Sequence, residues 1–165
     1  IEYRKDGILQ SLGLNQNDLM ENAPIAVINT GNSFAVIAVK SSGILKEIKP
    51  NLDLINSISE EFNLIGYYVF SLDASSGRDA NTRMFAPRYG IEEEAGTGMA
   101  AGPLACYLYE ILGVKKNRLL IEQGWFMKEP SPSLIIVNLE TDKGKITKIM
   151  AGGKGIADRV MDIQI

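Results

Sequence analysis

Between Met99 and Leu112 the chain builds a helix with no wet side. Its residues are mostly Met, Ala, Leu, Cys and Ile, and the polar exceptions, Tyr107, Tyr109 and Glu110, come late. A helix that is apolar nearly all round must be buried nearly all round. The run is shorter than the roughly 20 apolar residues needed to span a bilayer, so protein must cover it. The natural sheath is a strongly curved sheet. Pro103 falls inside the helix and leaves the carbonyl of Met99 without a donor, which predicts a kink or a loosened first turn. Cys106 lies mid-helix among apolar neighbours and reads as a small core residue. A reactive thiol would sit at a helix start or beside a cation.

The rest of the sequence supplies the strands for that sheath. Residues 24–29 and 34–40 are apolar and β-branched and flank Thr30-Gly31-Asn32-Ser33, so they read as a hairpin. After Pro50, the spacing of Leu52, Ile55, Ile58, Ser59 and Phe62 predicts an amphipathic helix with Asn51 or Asp53 as its cap. Residues 65–72, 81–86, 119–123, 134–140, 146–150 and 156–165 read as further strands, and 87–96 as a polar loop. Strands mostly follow one another without helices between them, so the class is α+β. The expected architecture is a curved mixed β-sheet half-barrel wrapped around a central buried helix. Residues 1–22 read as a connector with a short helix near 5–12, and 23–165 as a single lobe.

Composition narrows the chemistry. The chain has 165 residues, 45% of them hydrophobic, enough for one real core. A formal net charge of −3 offers no attraction to nucleic acid or to an anionic membrane surface. One cysteine cannot form an internal disulfide, and no leader-like segment is present, so a cytoplasmic location is the default expectation. There is no histidine. That removes Ser-His-Asp and Cys-His catalysis and the usual metal sites, so no metal is expected. Proton transfer must use carboxylates, tyrosines, lysines or the lone thiol.

Gly96-Thr97-Gly98 feeds the buried helix. Thr97 stands where an N-cap residue would. The first helical amides are unpaired, and with the helix dipole they form a site for a carboxylate or phosphate. Glu92-Glu93-Glu94 places carboxylates at the same mouth; an acidic surface loop before a capped helix explains the segment equally well. The run Gly96–Ala101 also matches G-x-G-x-x-A, but no strand ends at Gly96 and Arg118 occupies the position where an acidic residue would hold a ribose, which argues against a dinucleotide site. Gly152-Gly153-Lys154-Gly155 lacks the following Ser or Thr of a P-loop and reads as a tight turn or bulge.

Taken together, Arg83-Met84-Phe85-Ala86-Pro87 and the run from Glu92 to Leu104 are similar to the signature of the phenazine-biosynthesis isomerase (PhzF-like) family. Members typically read R-x-F-A-P, a short loop, then E-D-P-x-T-G-S-A and a small-residue helix. Asn29-Thr30-Gly31, Gln123-Gly124, Pro130-Ser131 and Gly152-Gly153 follow the expected order. The resemblance implies the diaminopimelate-epimerase-like fold, in which two lobes each wrap a sheet around a helix and the two helix starts face one another across the site. It implies isomerisation or epimerisation of a small carboxylated metabolite by proton transfer without a cofactor. Carried over, Glu94 is the catalytic carboxylate, standing where the family usually has aspartate. Gly96, Thr97, Gly98 and Met99, with Thr30 and Gly31, are the substrate-binding residues. Ala95 replaces the usual proline and Met99 the usual serine, so a substrate-facing hydroxyl is lost.

Everything matched belongs to the family's second lobe, and the first lobe supplies the glutamate that shuttles the proton. With Ile1 in place of an initiator methionine, the expectation is a fragment, a processed product or one subunit of a split enzyme. Three functional readings follow: an isomerase whose main base lies on a missing N-terminal lobe, a non-catalytic carboxylate-binding module, or a homodimer whose second copy mimics the other lobe. A thiol-based racemase is excluded because Met99 occupies the helix start and Cys106 lies two turns deeper.

Overall fold

The computed structural model describes residues 1–75 and 77–155. Among the described residues, eight strands form one sheet: β1 (Ala26–Asn29), β2 (Ser33–Ala38), β3 (Gly66–Ser71), β4 (Ala80–Ala86), β5 (Ile91–Glu94), β6 (Arg118–Gln123), β7 (Ser133–Asp142) and β8 (Lys145–Gly152). The strand order is β1-β2-β3-β4-β6-β7-β8, with β5 paired to β4 off that path. Pairs β2–β3 and β4–β6 are parallel and the others antiparallel, so the sheet is mixed. The expected strand over 156–165 lies outside the described residues.

The central helix α4 (Gly98–Cys106) runs on into a wider π turn over Tyr107–Ile111. Ala100, Ala101, Leu104, Ala105, Tyr107 and Leu108 are all fully buried, against the inward residues of β2, β3, β4, β6 and β7. The expectation of an oily helix sheathed by a curved sheet therefore holds. The helix continues through Pro103. Pro103 has no N–H to give the Met99 carbonyl, and it falls near the start of the helix, where that loss is best tolerated.

Helices α1 (Lys5–Leu12), α2 (Ser42–Glu47) and α3 (Leu52–Glu61) cover the other face of β2–β4. Ile8, Leu12, Leu45, Ile55 and Ile58 pack there against Ile37, Tyr67, Val69 and Phe85. Alternation in β3 thus sends Tyr68 and Phe70 to the inner core and Tyr67 and Val69 to the outer one. Asn51 does cap α3, its side chain accepting the Leu54 amide at 3.1 Å. The segment after α1 contributes Leu19, which bridges to Val39.

Three features depart from the sequence reading. Helix α2, capped by Ser41, was not visible because it is six residues long and carries Gly43. Residues 87–96 are not simply a polar loop: a 3-10 turn over Pro87–Tyr89 leads into β5. A run of three glutamates carries no strand signal. The segment is extended because it pairs with β4 and because Glu93 meets a buried arginine. Thr97 occupies the N-cap of α4, yet its side chain makes no cap bond.

Burial gives the core a signature at high pH. The Tyr107 hydroxyl donates to the Pro24 carbonyl at 2.7 Å, and burial pushes its pKa to about 12. Burial pushes Tyr67 and Tyr68 higher still. An unfolded tyrosine ionises near pH ~10. These groups hold their protons more tightly when folded, so their contribution is intact below that pH and is lost as pH rises through the folded values. The expected result is that tyrosinate absorbance from these three side chains grows only together with loss of near-ultraviolet circular dichroism. Ionisation of all three in a chain that keeps its tertiary signal would contradict the burial described. Burial, then the nearby Glu110, also raises the Cys106 thiol, in keeping with a core role.

Candidate functional site

Helix α4 begins at an open end of the half-barrel, where the β1–β2 turn, the start of β7 and the end of β8 converge. Two cavities meet there. The larger, about 630 Å³, lies between Gly96 and Gly98 on one side and Ser133, Ile136 and Gly152 on the other, with Lys154 on its rim. The smaller, about 190 Å³, is bounded by Thr30, Asn32, Met99, Ile149 and Ala151. Gly98 lines both. Small residues at and just inside the helix start keep this space open. A Cβ on Gly96 would sit 2.8 Å from Ser133 Oγ, and one on Gly102 would fill the gap toward Ile149 and Thr30.

The backbone at the helix start is arranged to leave donors over. Both the Ala100 and the Ala101 amides go to the Thr97 carbonyl, at 3.2 and 3.0 Å. Among the described residues, the Gly98 and Met99 amides have no acceptor, so the tip of α4 presents two N–H groups and the positive end of its dipole. Such a tip suits an anionic group, and Lys154 adds positive charge at the rim.

The structure gathers most of the sequence-predicted residues here. Gly96, Gly98, Met99 and Thr30 line the two cavities. Thr97 sits between them, buried. Gly31 shapes the β1–β2 turn with φ 115°, its amide donating to Asn29 Oδ1 at 2.8 Å, and does not line either cavity. Glu94 does not line them either. Its carboxylate accepts the Ala95 amide at 3.2 Å, so it stands one step behind the tip. Glu93 is turned to the other face, where both carboxylate oxygens accept from Arg83 at 2.8 Å.

Two contributors were not anticipated as such. Asn32 Nδ2 approaches Met99 Sδ at 3.0 Å across the smaller cavity, and only its place in the turn after Thr30-Gly31 pointed to it. Gln123, noted in the sequence only as a landmark before Gly124, is fully buried and bonded to Glu94 and Thr97. No local signal marks a residue that acts 26 positions from its partner.

The architecture is thus an α+β half-barrel, a curved mixed sheet around a buried helix whose bare start opens on a cleft. The sequence matches the phenazine biosynthesis-like protein family (PhzC-PhzF) over residues 2–159, and the chain belongs to that family. It is similar to an uncharacterised isomerase of Clostridium acetobutylicum, 39% identical over 106 residues, which is 64% of this chain and 35% of that protein. It is also similar to a trans-2,3-dihydro-3-hydroxyanthranilate isomerase of Pseudomonas chlororaphis, 27% identical over 90% of this chain and 49% of that one. The crystal structure of a PhzF-family phenazine biosynthesis protein of Bacillus anthracis shares the fold, with a TM-score of 0.75 and 24% identity over 90% of this chain and 52% of that chain. The chain thus spans a third to a half of the length of the curated relatives it matches. No helix among the described residues is long and apolar enough to cross a membrane.

Proposed function

We propose that the chain is the second lobe of a PhzF-like isomerase that moves a proton within a small carboxylated metabolite without a cofactor. The supporting observation is the bare tip of α4, where the Gly98 and Met99 amides face the meeting point of two cavities. The relatives named as isomerases support the reaction class. In this reading the substrate's carboxylate lies on the two amides, and Lys154 strengthens the local field. The main base, a glutamate, comes from the other lobe or its equivalent and takes a proton from carbon. The same proton, or one from Glu94, is returned to a different carbon, so atoms and charge balance with no oxidant or reductant. Glu94 reaches the substrate by swinging off the Ala95 amide, its partner in the resting arrangement. Met99 in place of a hydroxyl makes this wall of the site apolar, and favours a less polar substrate than a serine-lined site would.

The test uses the chain alone and the chain joined to the remaining half of a full-length relative. Dihydro-hydroxyanthranilate, the substrate class in the name of one relative, is the first compound to offer, in deuterated solvent. Turnover with solvent deuterium in the product is expected from the joined protein and not from the isolated chain. Glu94→Gln is expected to lower its kcat by about 10²–10⁴-fold, the usual contribution of one acid–base group. Unchanged turnover in Glu94→Gln would remove Glu94 from the mechanism. Carboxylate binding without any deuterium incorporation in the joined protein would favour a binding module instead.

A further inference from the structure

Gln123 ends β6 and is fully buried, and its side-chain amide makes four bonds. Nε2 donates to the Glu94 carbonyl at 2.7 Å and to the Thr97 hydroxyl at 3.1 Å. Oε1 accepts the Thr97 amide at 3.2 Å and the Tyr68 hydroxyl at 3.0 Å. The orientation of the amide is fixed by chemistry. A backbone N–H can only donate and a backbone carbonyl can only accept, so Oε1 must face Thr97 and Nε2 must face Glu94. Tyr68 is itself held, its oxygen lying 3.1 Å from the Thr82 hydroxyl.

This arrangement changes what Thr97 can do. Thr97 has the extended N-cap backbone, φ −131° and ψ 94°, from which a threonine hydroxyl ordinarily accepts the amide of the second or third helical residue. Those residues are Met99 and Ala100. The hydroxyl instead faces Gln123, and no cap bond forms. A threonine that capped its own helix would compete with a ligand for the Met99 amide.

We infer that Gln123 is a positioning residue that keeps the tip of α4 uncapped, by holding the Thr97 hydroxyl away from the Met99 and Ala100 amides. The inference deepens the proposed function and rests on it for the claim that an anion occupies the tip. The uncapped state itself can be measured without any ligand.

The experiment compares the full chain with Gln123→Met, Thr97→Val and the double variant, by amide hydrogen exchange and by titration with benzoate followed by NMR. In the original protein the Met99 amide should exchange at close to an unprotected rate. Gln123→Met releases the hydroxyl to cap, so exchange at Met99 or Ala100 should slow and benzoate should bind about five-fold more weakly, the worth of one cap bond. The double variant has no hydroxyl to compete, so both readouts should return toward the original values. A merely structural loss would make the double variant worse than either single one, and that result would overturn the inference. Should Gln123→Met fail to fold, Thr97→Val alone decides. It leaves Met99 exchange unchanged if the hydroxyl is held by Gln123, and speeds it if the hydroxyl is in fact a cap. If the original protein binds no benzoate, the anion reading fails, while the exchange arm still decides the role of Gln123.

Discussion

Arg83→Ala should destabilise the fold by about 3–5 kcal/mol, the cost of leaving one member of a buried ion pair charged and alone. The Arg83 and Glu93 side chains are only 6% and 14% exposed. Their contact is two-pronged, Nε to Oε1 and Nη2 to Oε2, both at 2.8 Å. The remaining nitrogen, Nη1, donates to the carbonyls of Leu45 and Ile48 at 3.2 and 3.0 Å, which closes the end of α2. The guanidinium also lies 5.0 Å from the centre of the Phe85 ring. One side chain on β4 thus fastens α2 on one side and β5 on the other, and β5 leads directly into the Gly96–Gly98 turn. Urea unfolding measures the cost. Arg83→Lys should recover only part of it, because an ammonium cannot reproduce the fork. Arg83→Met with Glu93→Leu should recover more, because no unpaired charge remains. A loss below about 1 kcal/mol in Arg83→Ala would mean that the pair behaves like a solvated surface contact.

This pair marks where sequence reasoning stops. The central helix was legible because its evidence is compositional: residues 99–112 leave no polar face, whatever surrounds them. The Asn51 cap was legible because its partner is three residues away. The curved mixed sheet followed from alternating strands that needed a helix to enclose. Strand β5 was hidden because three glutamates in a row look solvated, and only a buried arginine ten positions earlier draws one of them inward. At the site, the place of Thr97 at the helix start was visible but its partner was not. A local rule assigns its hydroxyl to the Met99 or Ala100 amide, and the fold assigns it to Gln123. Glu94 shows the same limit from the other side: its neighbourhood could be named, while the direction of its carboxylate depends on how β5 is pulled.

Gly124→Ala should be strongly destabilising, and its effect should reach the helix start. Gly124 has φ 83°, a conformation that costs an L-residue about 1–2 kcal/mol. A Cβ there would also collide with the Ser131 carbonyl and lie 2.8 Å from the Ala95 carbonyl, both backbone atoms that cannot swing aside. Overpacking of this kind adds about 1–3 kcal/mol, for a total of about 2–5 kcal/mol. Gly144→Ala is the matching control. It has φ 79° with nothing within 4 Å of the added carbon, so it should lose only the conformational part. The difference between the two variants in urea unfolding isolates the steric part. Three segments meet at Gly124: the turn closed by the Ser131 amide donating to the Gly124 carbonyl at 3.0 Å, the end of β6 carrying Gln123, and the Ala95 step into α4. Relief of the collision must push Ala95 away from Gln123, lengthening the bonds that Gln123 makes to Glu94 and Thr97. The NMR shifts of the Thr97, Gly98 and Met99 amides should therefore move in Gly124→Ala and stay in place in Gly144→Ala. Equal stability losses with unmoved tip amides in both would show that the turn and the helix start are not mechanically joined.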